Sequence, residues 1–333
     1  MSRRFVEQLT DGDSVEEIYL VVEKQLRANR NGNPFIQVDL RDRTGSITGR
    51  LWNAGDQQYR SFDAGDFLFI KGKVQLFQGA LQIILSTLER IDPSRVELAE
   101  FLPHTTQDVS KLYERLCRYL RGLGNPHLRA LAECFLMDHD FTQSFCRAPA
   151  GVRVHHAYIG GLLEHVVALM DAADRLAPLY PELDGDLLKM GVFLHDVGKV
   201  RELTYDRAFA YSDEGQLVGH LVIGVEMLNE RVRTVPDLTG EPFPGELLLR
   251  LKHLILSHHG TLEFGSPKVP MTPEAIALHH LDNFDAKLHM FTREIREDSN
   301  TSSAWTPFNP TLQRRLFKGG SGRGEPSDAE EGE

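Results

Sequence analysis

Apolar residues in this chain recur at a period of two as far as Ile91 and at helical spacing from about Asp108 onward, and that change of period limits what it can fold into. The alternating part must bury one face of a sheet. The part with apolar residues three or four positions apart must bury one stripe of each helix. With 333 residues there is room for two cores, so an all-β domain followed by an all-α domain is expected.

In the first part, Ser14 to Asn29 is expected as a strand closed by the turn sequence Asn31-Gly32-Asn33-Pro34. Phe35 to Leu40 and Ser46 to Trp52 form a hairpin about Asp42-Arg43-Thr44-Gly45. A short helix over Ala54 to Arg60 precedes two strands, Phe67 to Phe77 and Leu81 to Ile91, joined through Gln78-Gly79. Five short strands with one small helix after the third make the pattern of an OB-fold barrel, here over residues 12–92. Alternation puts Ile36, Val38 and Leu40, Ile47 and Leu51, and Leu68, Ile70 and Val74 inside, although Gly72 could mark a bulge that shifts the phase. The opposite face carries Phe35, Arg50, Trp52, Phe69, Lys71, Lys73 and Phe77. Aromatic rings interleaved with bases suit single-stranded nucleic acid, although Phe35 and Trp52 could equally close the barrel or cover its neighbour.

Residues 93–107 are expected as a linker, and 108–300 as an all-α domain whose first helices run from Leu112 to Leu123 and from His127 to His139. From Lys318 to Glu333 the chain turns to Gly, Ser and acidic residues and is expected to be disordered. No apolar run approaches the roughly 20 residues of a membrane span, the first residues lack a signal peptide, and three unpaired cysteines argue against a disulfide framework. A cytoplasmic location is the expectation. The net charge of −11 decides little about a polyanionic partner, because residues 1–92 are nearly balanced, with 12 Lys/Arg against 13 Asp/Glu.

Eleven of the fourteen histidines fall between His155 and His289. His165 lies in an apolar helix, and His195-Asp196 ends another. His220 opens a helix, His258-His259 closes one against Gly260, and Asp282 sits in the last long helix. Each alone has an ordinary structural explanation; together, in a helical domain, they form a set of imidazole and carboxylate donors for a divalent transition metal. Adjacent helical residues diverge by about 100°, so His195 and Asp196 can share an ion only at a helix end, where Asp196 can also reach a second one. Lys199 follows closely enough to offset charge on a phosphate oxygen, and with Asp196 it is the candidate catalytic pair. His155 and His156 are candidate substrate contacts.

The order H…HD…H…HH…D resembles the HD-domain superfamily of metal-dependent phosphohydrolases. The stretches HHAYIGGLLEH, HDVGK and SHHGTLEFGSPKVPMTPEA…LHHLDNFDAK, behind an OB-like domain, resemble the YhaM-type 3′-to-5′ exoribonucleases from about residue 10 to 295. That resemblance implies a helical hydrolase domain using Mn²⁺ or Co²⁺, an OB domain gripping single strands, and 5′-mononucleotide products. It assigns His165, His195, Asp196 and Asp282 to a first ion, and Asp196, His220, His258 and His259 to a second. The donor set by itself also accepts Fe, Ni or Zn. Single-stranded RNA is the expected substrate, with single-stranded DNA and self-association left open. The alternatives are a phosphohydrolase of small or cyclic nucleotides, and an OB-fold binding protein with an inactive HD domain. Gly265-Ser266-Pro267 stands where the cyclic-dinucleotide subset carries GYP, and a small substrate has no need of a barrel.

Overall fold

The computed structural model describes residues 3–29, 31–77, 79–97, 100–152, 156–205, 209–298, 300 and 303–319. His155 and residues 320–333, which include nearly all of the expected disordered tail, lie outside the described residues.

Strands β1 (Ser14–Ala28), β2 (Pro34–Asp42), β3 (Gly45–Trp52), β4 (Phe67–Phe77) and β5 (Ala80–Ile91) close into a barrel in the order β1-β2-β3-β5-β4. The short helix α1 (Asp56–Tyr59) follows β3. β3 pairs with β5 in parallel, and the remaining pairs are antiparallel. The turn between β2 and β3 is held by Asp42, whose buried carboxylate accepts from Thr44 N, Thr44 Oγ1, Gly45 N and Val6 N. Ile36, Val38, Leu40, Leu68, Ile70 and Ile83 fill the barrel, as the alternation requires. The register shifts between Lys71 and Gly72, so a bulge does stand at that glycine.

Between barrel and helices, Phe101 and Leu102 are buried with Leu20 and Phe67, and Ile159 and Phe209 from the helical part pack on the same cluster. The rings of Phe67 and Phe101 meet edge-on at 4.8 Å. The stretch expected as a linker is therefore a packed joint at Val96, Phe101 and Leu102.

The helical part comprises α2 (Val109–Arg121), α3 (Pro126–Leu136), α4 (His139–Arg147), α5 (Gly161–Leu176), α6 (Gly185–Leu194), α7 (Lys199–Glu202), α8 (Asp213–Leu217), α9 (His220–Val232), α10 (Val235–Thr239), α11 (Gly245–Ser257) and α12 (Pro273–Glu297). The helix expected from His127 to His139 ends instead at Leu136, because the Asp138 side chain accepts from Phe141 N and caps a new one. A pair of two-residue strands, β6 (Leu203–Thr204) and β7 (Ala210–Tyr211), interrupts the helices. α6 is apolar along most of its surface, Asp186 and Lys189 apart. Leu187, Leu188, Met190, Val192, Phe193 and Leu194 are all buried. It packs against α5, α11 and α12, so whatever follows its last residue sits in the middle of the bundle.

Candidate metal centre and nucleic-acid interface

His195 is the C-cap of α6, and the chain turns at once through Asp196, so both side chains enter the centre that α6 occupies. α5 brings His165, α9 its first residue His220, the end of α11 His258 and His259, and α12 Asp282. All seven positions picked from the sequence meet there, in overlapping clusters of His165, His195 and Asp282, of His195, Asp196 and His258, and of His220, His258 and His259, which form two groups about the two oxygens of Asp196.

In the first group His165 Nε2 stands 3.2 Å from Asp282 Oδ1 and 3.3 Å from His195 Nε2, and Asp196 Oδ2 lies 3.3 Å from His195 Nε2. In the second, Asp196 Oδ1 lies 3.5 Å from His220 Nε2 and 3.7 Å from His258 Nε2, and His259 completes the set with its ring 4.3 Å from that of His258. Donors sharing one cation tetrahedrally at bonds of about 2.0–2.1 Å stand about 3.3–3.4 Å apart; the closest pairs have about that spacing, and His165 Nε2–Asp196 Oδ2 and His195 Nε2–Asp282 Oδ1 are wider, at 3.9 Å each. The carboxylate of Asp196 thus gives one oxygen to each group.

Hydrogen bonds behind the imidazoles fix which nitrogen faces inward. Nδ1 of His195 donates to Val192 O at 2.8 Å, and Nδ1 of His258 to Ile255 O at 2.8 Å. Nδ1 of His165 reaches Asp285 Oδ2 at 2.8 Å, and Nδ1 of His220 reaches Glu202 Oε1 at 2.9 Å. With each Nδ1 engaged outward, Nε2 is the nitrogen that each of these rings turns toward the centre, as metal ligation requires. Asp196 Oδ1 and His220 Nε2 are buried, and neither makes a hydrogen bond among the described residues. Leaving a buried polar atom unpaired costs about 1–3 kcal/mol, which a cation between the two would remove. The donor set fits divalent ions.

Charge follows the same division. Burial alone would raise Asp196, but Lys199 and then His195 hold it well below the usual carboxylate range. Burial, reinforced by His195 and His259, keeps His258 well below its ordinary value and so neutral. His165 goes the other way. Burial disfavours its charge, yet hydrogen bonds to Asp282 and Asp285 lift it to about 9.

Lys199 is buried, with Nζ donating to Asp196 Oδ2 and to Ala150 O at 2.7 Å each. It grips the carboxylate that joins the groups. His156 is also buried, with Nε2 on Asp285 Oδ2 at 2.9 Å and Nδ1 on the Tyr158 hydroxyl at 2.7 Å. Asp285 and Glu202, which orient two of the imidazoles, were not singled out from the sequence. Asp285 had a readable signal, since it stands three residues after Asp282 on the same helix.

On the barrel, Phe35 is buried beneath the exposed Trp52, their rings 4.8 Å apart. Arg50 lies 5.4 Å from the ring of exposed Phe77, a cation–π contact. Lys73 is exposed on the same outer face, level with Arg50 across β5, because Lys73 and Arg50 both pair with Ile84. Phe69 and Lys71 lie beyond the bulge beside β1, where Lys71 is paired with Glu16 at 2.9 Å.

A family model for an OB-fold nucleic acid binding domain matches residues 20–91, and one for the HD domain matches residues 162–287. The chain is 33% identical over 285 residues to the 3′-5′ exoribonuclease YhaM of Bacillus subtilis (strain 168), covering 85% of this chain and 88% of that protein. The YhaM of Halalkalibacterium halodurans is 33% identical over 85% of this chain and 87% of its own length. That of Bacillus velezensis is 34% identical, with 85% and 88% covered. No described helix is long and apolar enough to cross a membrane. With relatives of this identity aligned along most of both chains, and with an OB-fold domain followed by an HD domain, the chain belongs to the family of the 3′-5′ exoribonuclease YhaM.

Proposed function

We propose that this protein is a metal-dependent 3′-to-5′ exoribonuclease that shortens single-stranded RNA to 5′-mononucleotides, with two divalent ions held side by side in its helical domain. The observation that carries the reading is Asp196, whose two oxygens face separate groups of imidazoles while Oδ1 and the facing His220 Nε2 have no hydrogen-bond partner among the described residues. His165, His195, Asp196 and Asp282 would hold one ion. Asp196, His220, His258 and His259 would hold the other. Mn²⁺ is the expected metal, and imidazole and carboxylate also suit Co, Fe, Ni or Zn. Divalent ions in such a site supply Lewis-acid stabilisation of charge at a phosphodiester and acidify a water.

The side chains around the centre prepare it for that chemistry. Lys199 holds Asp196 ionised and in place, which keeps both of its oxygens available. Asp285 and Glu202 keep the Nε2 atoms of His165 and His220 turned inward and unprotonated once an ion competes for them. On the barrel, Trp52 over Phe35, with Arg50, Phe77 and Lys73 beside them, would stack bases and meet phosphates without reading sequence. Stacking makes no use of the 2′-hydroxyl, so single-stranded DNA is expected to bind this face as well.

The test is incubation of the purified protein with 5′-labelled single-stranded RNA, with and without Mn²⁺. A ladder that shortens from the 3′ end only with metal supports the reading. Cleavage at internal positions, or turnover of cyclic dinucleotides with the RNA left intact, overturns it.

A further inference from the structure

Behind His165 a line of buried and half-buried polar side chains leads away from the centre toward the joint between the domains. His165 Nδ1 meets Asp285 Oδ2 at 2.8 Å, and the same oxygen meets His156 Nε2 at 2.9 Å. His156 Nδ1 meets the Tyr158 hydroxyl at 2.7 Å, and Tyr158 lies near Glu164, whose charge adds to burial in raising its phenol. The carboxylate of Glu164 accepts from the hydroxyl of Thr105, which belongs to the joint. There the backbone pairs across the domains, with Thr105 N donating to Ile159 O at 2.9 Å and Ile159 N to Pro103 O at 2.8 Å. Ile159 also packs on the cluster that contains Phe67 of β4 and Phe101.

The backbone between these side chains is built to bring them together. His156 sits at φ +47°, a conformation uncommon for a residue with a side chain. A Cβ at Gly161 would stand 2.1 Å from His156 O, and one at Gly160, where φ is +81°, would stand 2.8 Å from Thr105 Cγ2. Both glycines of the Gly160-Gly161 pair are therefore required by close approaches, one toward His156 and one toward Thr105. Asp285 is held at one oxygen by two imidazoles, so the side chain that orients His165 is itself oriented by His156.

We infer that Tyr158 and His156 are positioning residues for the first ion. Through Asp285 they fix the ring of His165, and through Glu164 and Thr105 they tie it to the joint that carries the barrel. The inference rests on the metal-centre reading and adds to it residues outside the two proposed ligand sets.

The test is titration of metal-free protein with Mn²⁺, following the free ion by its paramagnetic resonance signal, so that binding is read without turnover. Tyr158→Phe keeps the ring and removes the hydroxyl, and it should weaken the ion bound through His165 by up to about 10-fold, less than the roughly 10- to 100-fold usual when a group bonded to the ligand itself is lost. Thr105→Val should weaken it in the same direction, and Thr105→Ser, which restores the hydroxyl, should return it to the wild-type value. Thermal unfolding of each variant separates this from damage to the fold, because a purely structural role lowers the melting temperature and leaves Mn²⁺ affinity alone. Wild-type affinity in folded Tyr158→Phe and Thr105→Val proteins overturns the inference. Wild-type protein that takes up no Mn²⁺ overturns the metal reading beneath it, which is a different and separately visible result.

Discussion

At the scale of residues, the centre is a contest between burial and charge, and His165 shows how it is settled. Its two carboxylate partners raise it to about 9 against the pull of burial, so near neutral pH the metal-free protein holds a proton there that an ion must displace. Mn²⁺ affinity should therefore rise with pH, by about tenfold per unit below about pH 9, and calorimetry in buffers of differing ionisation enthalpy should register a released proton. A flat affinity between about pH 7 and about pH 8.5 would contradict that assignment. Lys199→Met should destabilise the metal-free protein by about 3–5 kcal/mol, because it leaves the carboxylate of Asp196 buried and unpaired. Added Mn²⁺ should recover more of the melting temperature in this variant than in wild type, since a cation at Asp196 offsets the same charge. The seven positions that meet at the centre stood out in the sequence because histidine and aspartate are unusual inside a helical core. Glu202 was not: a glutamate near a short helix is ordinary until folding sets it against His220. His156 could be seen as a candidate contact, but only the fold puts Asp285 between it and His165.

At the scale of elements, the sequence spoke most clearly where local chemistry decides. The turns before β2, between β2 and β3, and around Gly79 set the boundaries of the strands close to where they fall, while the caps Asp108 and Asn125 that start the first two long helices emerge only in the structure. The end of α3 was hidden, since apolar spacing continues past it and only the capping geometry of Asp138 breaks the helix. β6 and β7, two residues each, are too short to leave a periodic trace. On the barrel, alternation separates the faces but cannot say how deeply an outward ring is covered. Phe35 is buried by Trp52, so of the pair Trp52 presents the open face. Trp52→Ala should weaken single-stranded RNA binding by about 1–3 kcal/mol with little sequence preference, while turnover of a dinucleotide stays unchanged. Fluorescence titration of a labelled oligonucleotide, with the small substrate assayed in parallel, checks both halves. Unaltered binding would assign Trp52 to the packing of the barrel.

At the scale of the whole molecule, two cores of different chemistry are joined by a third cluster around Phe101, which no periodicity announces because its residues come from β1, β4, the joint and the helical part. Phe101→Ala should remove about 3–5 kcal/mol and loosen the coupling between barrel and helices. In calorimetric unfolding it should separate a barrel transition from a helical one, and shortening of long RNA should suffer more than turnover of a dinucleotide. A single transition with unaltered midpoint would show that the cluster does not join the domains energetically. The central claim is that Asp196 is shared between two ions, and counting bound Mn²⁺ per chain after equilibrium dialysis tests it most directly. Wild type should hold two ions, His165→Ala and His258→Ala about one each, and Asp196→Ala neither at wild-type affinity while remaining folded. A wild-type chain that binds a single ion, or an Asp196→Ala chain that binds two as tightly as wild type, contradicts it.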